Sequence, residues 1–294
     1  MNKFTIKDLE NLSGIKAHTI RIWEQRYNFL KPQRTATNIR YYSNDELKTL
    51  LNISLLNKYG YKISHINRMT NDELRQKLVT LSGTQAQQER IINELIQHMI
   101  DLEIEMFEQI LDQHIVARGV EKTITQLIFP FLERIGVLWL TDHINPAQEH
   151  LITNVIRQKL IVGIDNTRTS FVSRTTVLLF LPENEHHELG LLFLQYLFKS
   201  RGIQTIYLGA NVPLSDLEYV VQLKKPDYVY THLTTVMKEF NFEKFLNHLK
   251  NKLPVVPVLI SGLLANSNVK REAFGNIRFL KSLTEVNEFI AALP

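Results

Sequence analysis

Along the chain the spacing of apolar positions changes twice, and each change predicts a different kind of structure. In the first forty-odd residues, Leu9 and Leu12 follow Thr5, a residue suited to capping a helix, and Ile20 and Trp23 recur after the turn Ser13-Gly14. Two short helices joined by a glycine turn make a helix-turn-helix, with Arg21 and Arg26 pointing away from Ile20 and Trp23. From Lys31 to Tyr42 basic and aromatic residues alternate without helical period, which predicts a short β-wing. Ser43-Asn44-Asp45-Glu46 and Thr70-Asn71-Asp72-Glu73 are capping boxes that open helices, and the polar stretch from Ser82 to Gln88 reads as a linker or the start of a helix.

The spacing stays helical but becomes more apolar from about Glu89 to Val162. Ile91, Ile92, Leu95, Ile96 and Met99, then Ile104, Phe107, Ile110 and Leu111, then Phe131, Ile135, Leu138, Leu151, Val155, Ile156 and Leu160 predict a four-helix bundle or close to one, broken at Pro130 and near Asn145-Pro146. The last third shifts to short runs: Val177 to Leu181, Thr205 to Leu208, Tyr228 to Thr231 and Val255 to Ile260, separated by helical segments near 187–200, 215–223 and 239–252. That alternation predicts a doubly wound parallel sheet, flavodoxin-like in class. The expected architecture is multidomain, α then α/β, divided as 1–78, 79–170 and 171–294.

Charge sharpens the picture of the first part. Residues 1–80 hold 14 Lys+Arg against 7 Asp+Glu, whereas the rest hold 20 against 23, so the basic excess of a chain with net charge +4 is confined to the head. A local excess of cations beside a helix-turn-helix points to phosphate and hence to double-stranded DNA. The 44% hydrophobic content is ordinary for folded domains, and with no cysteine at all, disulfides, zinc–thiolate sites and thiol catalysis are excluded. No run of 18 apolar residues exists, and the start has neither a cationic nor an apolar leader region, so the cytoplasm is the expected location and no membrane partner is expected. No P-loop, nucleophile elbow or His-Glu-x-x-His is present.

Thr19-x-Arg21-x-Trp23-Glu24-x-Arg26-Tyr27, followed by Pro32-x-Arg34-x-x-x-Asn38-x-Arg40-Tyr41-Tyr42-Ser43, resembles the winged-helix domain of the MerR family of bacterial regulators over about residues 2–75. On that resemblance Lys16, Thr19, Arg21, Arg26, Tyr27, Arg34, Arg40 and Tyr42 are the expected DNA contacts. Asn38 stands where such wings usually carry glycine, and asparagine tolerates the left-handed backbone that the turn needs.

After the first predicted strand of the last third comes Glu185-x-His187-x-x-Gly190. A carboxylate two residues before an imidazole can orient it and leave its other nitrogen to a metal, while the glycine lets the following helix lie close to a flat ligand. Leu208-Gly209-Ala210-Asn211-Val212-Pro213, Thr231-x-Leu233 and Ser261-Gly262-Leu263 follow at the ends of the next strands. Together these stretches resemble the cobalamin-binding domain of methionine-synthase type over about residues 174–294. The resemblance implies His187 as the lower cobalt ligand in place of the cofactor's own base, Glu185 as its orienting partner, and Thr231 beside Gly262 at the nucleotide tail. It also brings Gly190, Asn211 and Leu233 into the expected cofactor site. Leu263, where the family has glycine, is expected to crowd the tail's path.

Trp139, then nine residues, then Glu149-His150 resembles the helical cap of the adenosylcobalamin-dependent photoreceptors of the MerR family, the CarH, CarA and LitR group. The resemblance implies a repressor that assembles into a larger oligomer, a dimer or tetramer, on its operator and releases it in light. Position 140, where some members carry a second histidine beside the tryptophan, is leucine. Two other readings accommodate the same residues: a regulator whose degenerate cobalamin domain only oligomerises, and a corrinoid methyl-carrier or cobalamin-dependent enzyme subunit. Asp142 with His143 in a loop, Asp112 with His114, and His232 as a satisfied half-buried histidine are read as bystanders.

Overall fold

The computed structural model of the chain describes residues 3–27, 29–139, 145–169, 173–234, 240–267 and 274–294, with the backbone alone at 137–139. These residues fall into two compact units, Met1–Val155 and Ile156–Pro294.

The first unit begins with helices Ile6–Ser13 and Ala17–Arg26. Thr5 and Asp8 close a reciprocal cap on the first, Gly14 ends it at φ 72°, and Leu9, Leu12, Ile20 and Trp23 are buried as their spacing requires. Strands β1 (Gln33–Arg34) and β2 (Arg40–Tyr41) form the antiparallel wing, and Asn38 takes φ 63° in the turn between them. Both predicted capping boxes are made, opening helices Asn44–Lys58 and Asn71–Val79.

The bundle helices are Thr84–Asp101, Ile104–Arg118, a continuous helical stretch from Val120 to Trp139, and Pro146–Asp165. The break expected at Pro130 does not occur. The helix widens instead to a π turn over Ile124–Ile128, with the Phe129 N–H reaching the Ile124 carbonyl, and this slack accommodates a residue that has no N–H to donate. The second expected break is kept: Pro146 opens its helix, and the Asn145 side chain accepts from the Ala147 N–H at 2.9 Å.

Head and bundle pack as one body, so the division expected at residue 79 falls inside the first unit. Helix Asn44–Lys58 lies along Thr84–Asp101, with Lys48 paired to Asp101 at one end and Lys58 to Glu89 at 2.7 Å at the other. Between them, Asn93 donates to the Leu51 carbonyl, and the half-buried Arg134 guanidinium bridges Asn93 Oδ1 (2.7 Å) to the Leu12 carbonyl of the head.

The second unit is a five-stranded parallel sheet: β3 (Thr176–Pro182), β4 (Gln204–Val212), β5 (Tyr228–Leu233), β6 (Val258–Gly262) and β7 (Ile277–Leu280), in the order β4-β3-β5-β6-β7. Leu178, Phe180, Val229, Leu233, Val258 and Ile260 pack on one face with Leu217, Val221, Phe245 and Leu249 from helices Leu214–Lys224 and Phe242–Lys252. Side chains alternate along a strand, so Tyr228 and Tyr230 face the other way, onto Phe289 of helix Leu283–Ala291 and Phe198 of helix Leu189–Ser200. Strand order reverses around β3, so its end and that of β5 flank the crevice where such sheets bind ligands.

At the end of β6, Gly262 has φ 92°, and a Cβ there would lie 2.8 Å from the Leu233 carbonyl carbon and 2.9 Å from its nitrogen. Backbone cannot give way as a side chain can. Gly262→Ala is expected to destabilise the second unit by roughly 2 kcal/mol or more. Urea unfolding followed by far-ultraviolet circular dichroism checks this, and an unchanged midpoint would contradict it.

Candidate cobalamin and DNA sites

The loop leaving β3 is built around Glu185, whose side chain is 1% exposed. Its Oε1 accepts two hydrogen bonds from one residue: the His187 N–H at 2.9 Å and His187 Nδ1 at 2.6 Å. A buried carboxylate needs such partners, and in taking them it fixes the imidazole's orientation and places the proton on Nδ1. Nε2 is then the nitrogen left in the basic form that a metal requires. The ring itself is 57% exposed. Backbone bonds hold the carboxylate's own residue in place: the Glu185 N–H donates to the Pro182 carbonyl, and the Glu185 carbonyl accepts from the Asn211 N–H at 3.1 Å. Asn211, at φ 57°, also accepts from the Asn184 N–H at 2.8 Å, so the ends of β3 and β4 are laced together.

Beneath helix Leu189–Ser200 the residues are packed without spare room. Gly190 carries no side chain because His232 lies against it: a Cβ at 190 would sit 2.6 Å from His232 Nε2. His232 Nδ1 is 2.7 Å from the Ser261 hydroxyl. Burial pushes the His232 imidazole down to about 4, against an opposing pull from Glu185. Among the described residues the hydroxyl of Thr231, fully buried, has no hydrogen-bond partner. An oriented imidazole, two glycines with no room for a side chain and the unsatisfied buried hydroxyl of Thr231 fit a flat ligand that brings a metal and polar groups. Leu233 is buried, and Leu263, expected to crowd the tail's path, is 58% exposed.

Sequence reasoning passed over Glu188, Tyr207 and Arg157. The Glu188 carboxylate accepts from the Tyr207 hydroxyl at 2.9 Å and pairs with Arg157 at 2.9 Å, bracing the residue next to His187. Glu188 lies within the motif itself, but partners 19 and 31 positions away give no sequence signal.

Trp139, Glu149 and His150 lie on bundle helices, Glu149 half-buried and His150 exposed. The Trp139 side chain, Leu140, Asp142 and His143 are outside the described residues. His114 bonds Thr123 rather than Asp112.

In the head, Arg21, Arg26 and Arg34 are exposed. The Arg34 guanidinium donates to Asn38 Oδ1 at 2.7 Å across the wing turn. Lys16 is exposed and 3.3 Å from Glu10, Thr19 sits beside His18, and Tyr27 stacks on Phe29 with centroids 5.7 Å apart. Tyr42 needs correction as a DNA contact. It is fully buried, with its hydroxyl donated to Glu24, which also holds Arg40 at 3.4 Å. Tyr42 can position Arg40 through that shared carboxylate; it cannot touch DNA from inside the core.

The lowered His232 has a consequence for stability. The folded unit resists protonation here while the unfolded chain accepts a proton near 6.5, so stability is full above that pH and falls as pH drops toward 4, by at most about 3 kcal/mol. Urea midpoints at pH 7.5 and 4.5 are expected to differ more for the native chain than for His232→Asn; equal differences would refute the assignment.

Comparison with known proteins bears on both sites. Residues 4–73 match the family of MerR HTH regulatory proteins, and residues 91–162 match the B12 binding domain. The second match lies on the bundle helices rather than on the sheet. Two repressors of Myxococcus xanthus are similar over most of their length: HTH-type transcriptional repressor CarH, 28% identical with 90% of each chain covered, and HTH-type transcriptional repressor CarA, 27% identical over 90% of this chain and 88% of that one. The monomethylamine corrinoid protein of Methanosarcina barkeri shares the fold, with a TM-score of 0.52 at 14% identity over 68% of this chain and 97% of the other. The chain thus carries a MerR-type helix-turn-helix segment at residues 4–73 and a B12-binding segment at residues 91–162, and over nine-tenths of its length it is similar to the CarH and CarA repressors.

Proposed function

We propose that the chain represses transcription from an operator and senses adenosylcobalamin, with cofactor occupancy controlling its assembly on DNA and light reversing that assembly. The observation that carries this reading is the imidazole of His187, held by the buried Glu185 at the crevice of the sheet. His187 would hold the cobalt, Thr231 and Gly262 would border the nucleotide tail, and Trp139, Glu149 and His150 would be further cofactor contacts. Bound there, the cofactor would supply a light-sensitive cobalt–carbon bond.

The chain's own residues supply the rest. Glu185 keeps the ligand imidazole in one tautomer, so no proton has to leave when a metal arrives. The two M. xanthus relatives carry repressor names, which favours a regulator over an enzyme. In the head, the proposed contacts are Arg21 in the groove and Arg26, Arg34 and Arg40 on phosphate. Contacts between the head and the bundle, chiefly Arg134 and the pairs at Asp101 and Glu89, give a packed route between cofactor cap and DNA reader. No described helix is long and apolar enough to cross a membrane.

Reconstitution tests the cofactor reading. The full chain mixed with adenosylcobalamin in the dark is expected to retain corrinoid absorbance through desalting and to elute as a larger species, while His187→Ala retains none; a colourless native protein would refute cobalamin sensing. Illumination is expected to reduce the elution size, and an unchanged volume would remove photoreception alone. For the head, Arg21→Ala is expected to weaken operator binding about tenfold or more and to lower the salt slope by about 1. Tyr42→Phe is expected to leave that slope unchanged; a slope lowered as by Arg21→Ala would restore Tyr42 as a phosphate contact.

A further inference from the structure

We infer that His232 is a gate for the lower base of the corrinoid, and so decides how strongly this site favours corrinoids that carry one. The inference rests on the cobalamin reading of His187 and goes beyond it. His187 would displace the base that normally sits under cobalt, and that base, tethered to the ring, needs a place to go. The helix beginning at Leu189 starts two residues after His187, and Gly190 in its first turn is the one position there stripped of a side chain.

That space is filled from within. His232 reaches it from β5 on the same face as Tyr230, lays its flat ring against Gly190 and anchors Nδ1 on Ser261 at 2.7 Å. An imidazole is a close mimic of the five-membered half of a benzimidazole. In shape and polarity His232 therefore stands in for the displaced base, with Ser261 as its partner.

Loading a corrinoid with its base then requires His232 to turn out, and the apparent affinity falls by the fraction of molecules in which it has done so. A corrinoid without the base makes no such demand. The experiment compares adenosylcobalamin with adenosylcobinamide, which lacks the nucleotide base, by absorbance titration and stopped flow on the full chain in the dark. The native chain is expected to bind cobalamin in two phases, the slower independent of concentration, and cobinamide in one. His232→Ala is expected to abolish the slow phase and to tighten cobalamin about tenfold while leaving cobinamide within about twofold. His232→Phe, which keeps the space filled, is expected to weaken cobalamin alone. A single phase for cobalamin on the native chain, or equal changes for both corrinoids in the variants, would overturn the gate. Binding of neither corrinoid to the native chain would overturn the cobalamin reading and the gate with it.

Discussion

The bond between Glu185 and His187 is the constraint on which the candidate site at the sheet depends. A carboxylate buried to 1% exposure would be costly if left unpaired, and here the residue two positions on donates to it twice, from its backbone and from its ring. The arrangement works because the loop is pinned at both ends, by the Pro182 carbonyl and by Asn211 from the neighbouring strand. The imidazole is thereby presented in one orientation at the crevice where strand order reverses. Glu188, braced by Tyr207 and Arg157, stiffens the same loop from the next residue.

The first unit obeys a different logic. Its winged head is too small to bury much apolar surface alone, and it leans on the bundle through helix Asn44–Lys58. Polar links at Asp101, Glu89 and Arg134 fix the register of that contact, and Leu50 of the one helix and Ile96 and Met99 of the other are fully buried. Arg134 is the most telling, since a half-buried guanidinium between helices is best satisfied while both its acceptors, Asn93 and the Leu12 carbonyl, stay in place. A shift of the bundle would be felt at the end of the head's first helix.

His232 and Gly190 tie the two themes of the sheet together. A glycine that sequence reading assigns to a flat ligand is already covered by a flat side chain of the protein itself. The same buried position lowers the imidazole's basicity and keeps it neutral beside Ser261. His232 is the satisfied, half-buried histidine that its place after the third strand suggests, and the helix laid over it adds the contact with Gly190.

Much was legible from local pattern. The capping boxes at Thr5, Ser43 and Thr70, the wing with its left-handed Asn38, the bundle and four of the five strands are consequences of neighbours a few residues apart, and so they can be read one residue at a time. Strand Ile277–Leu280, with only four residues, is too short for its period to stand out. Glu185 and His187 were likewise legible because both partners lie within three residues. What only the tertiary structure decided are the contacts between distant segments: the burial of Tyr42 against Glu24, the absorption of Pro130 by a π turn, Leu263 turned outward, Arg157 on Glu188, and His232 over Gly190. Pattern along a chain reports which side of an element is apolar; which side chain fills a given space depends on the element packed against it, and that is settled only when the chain closes on itself.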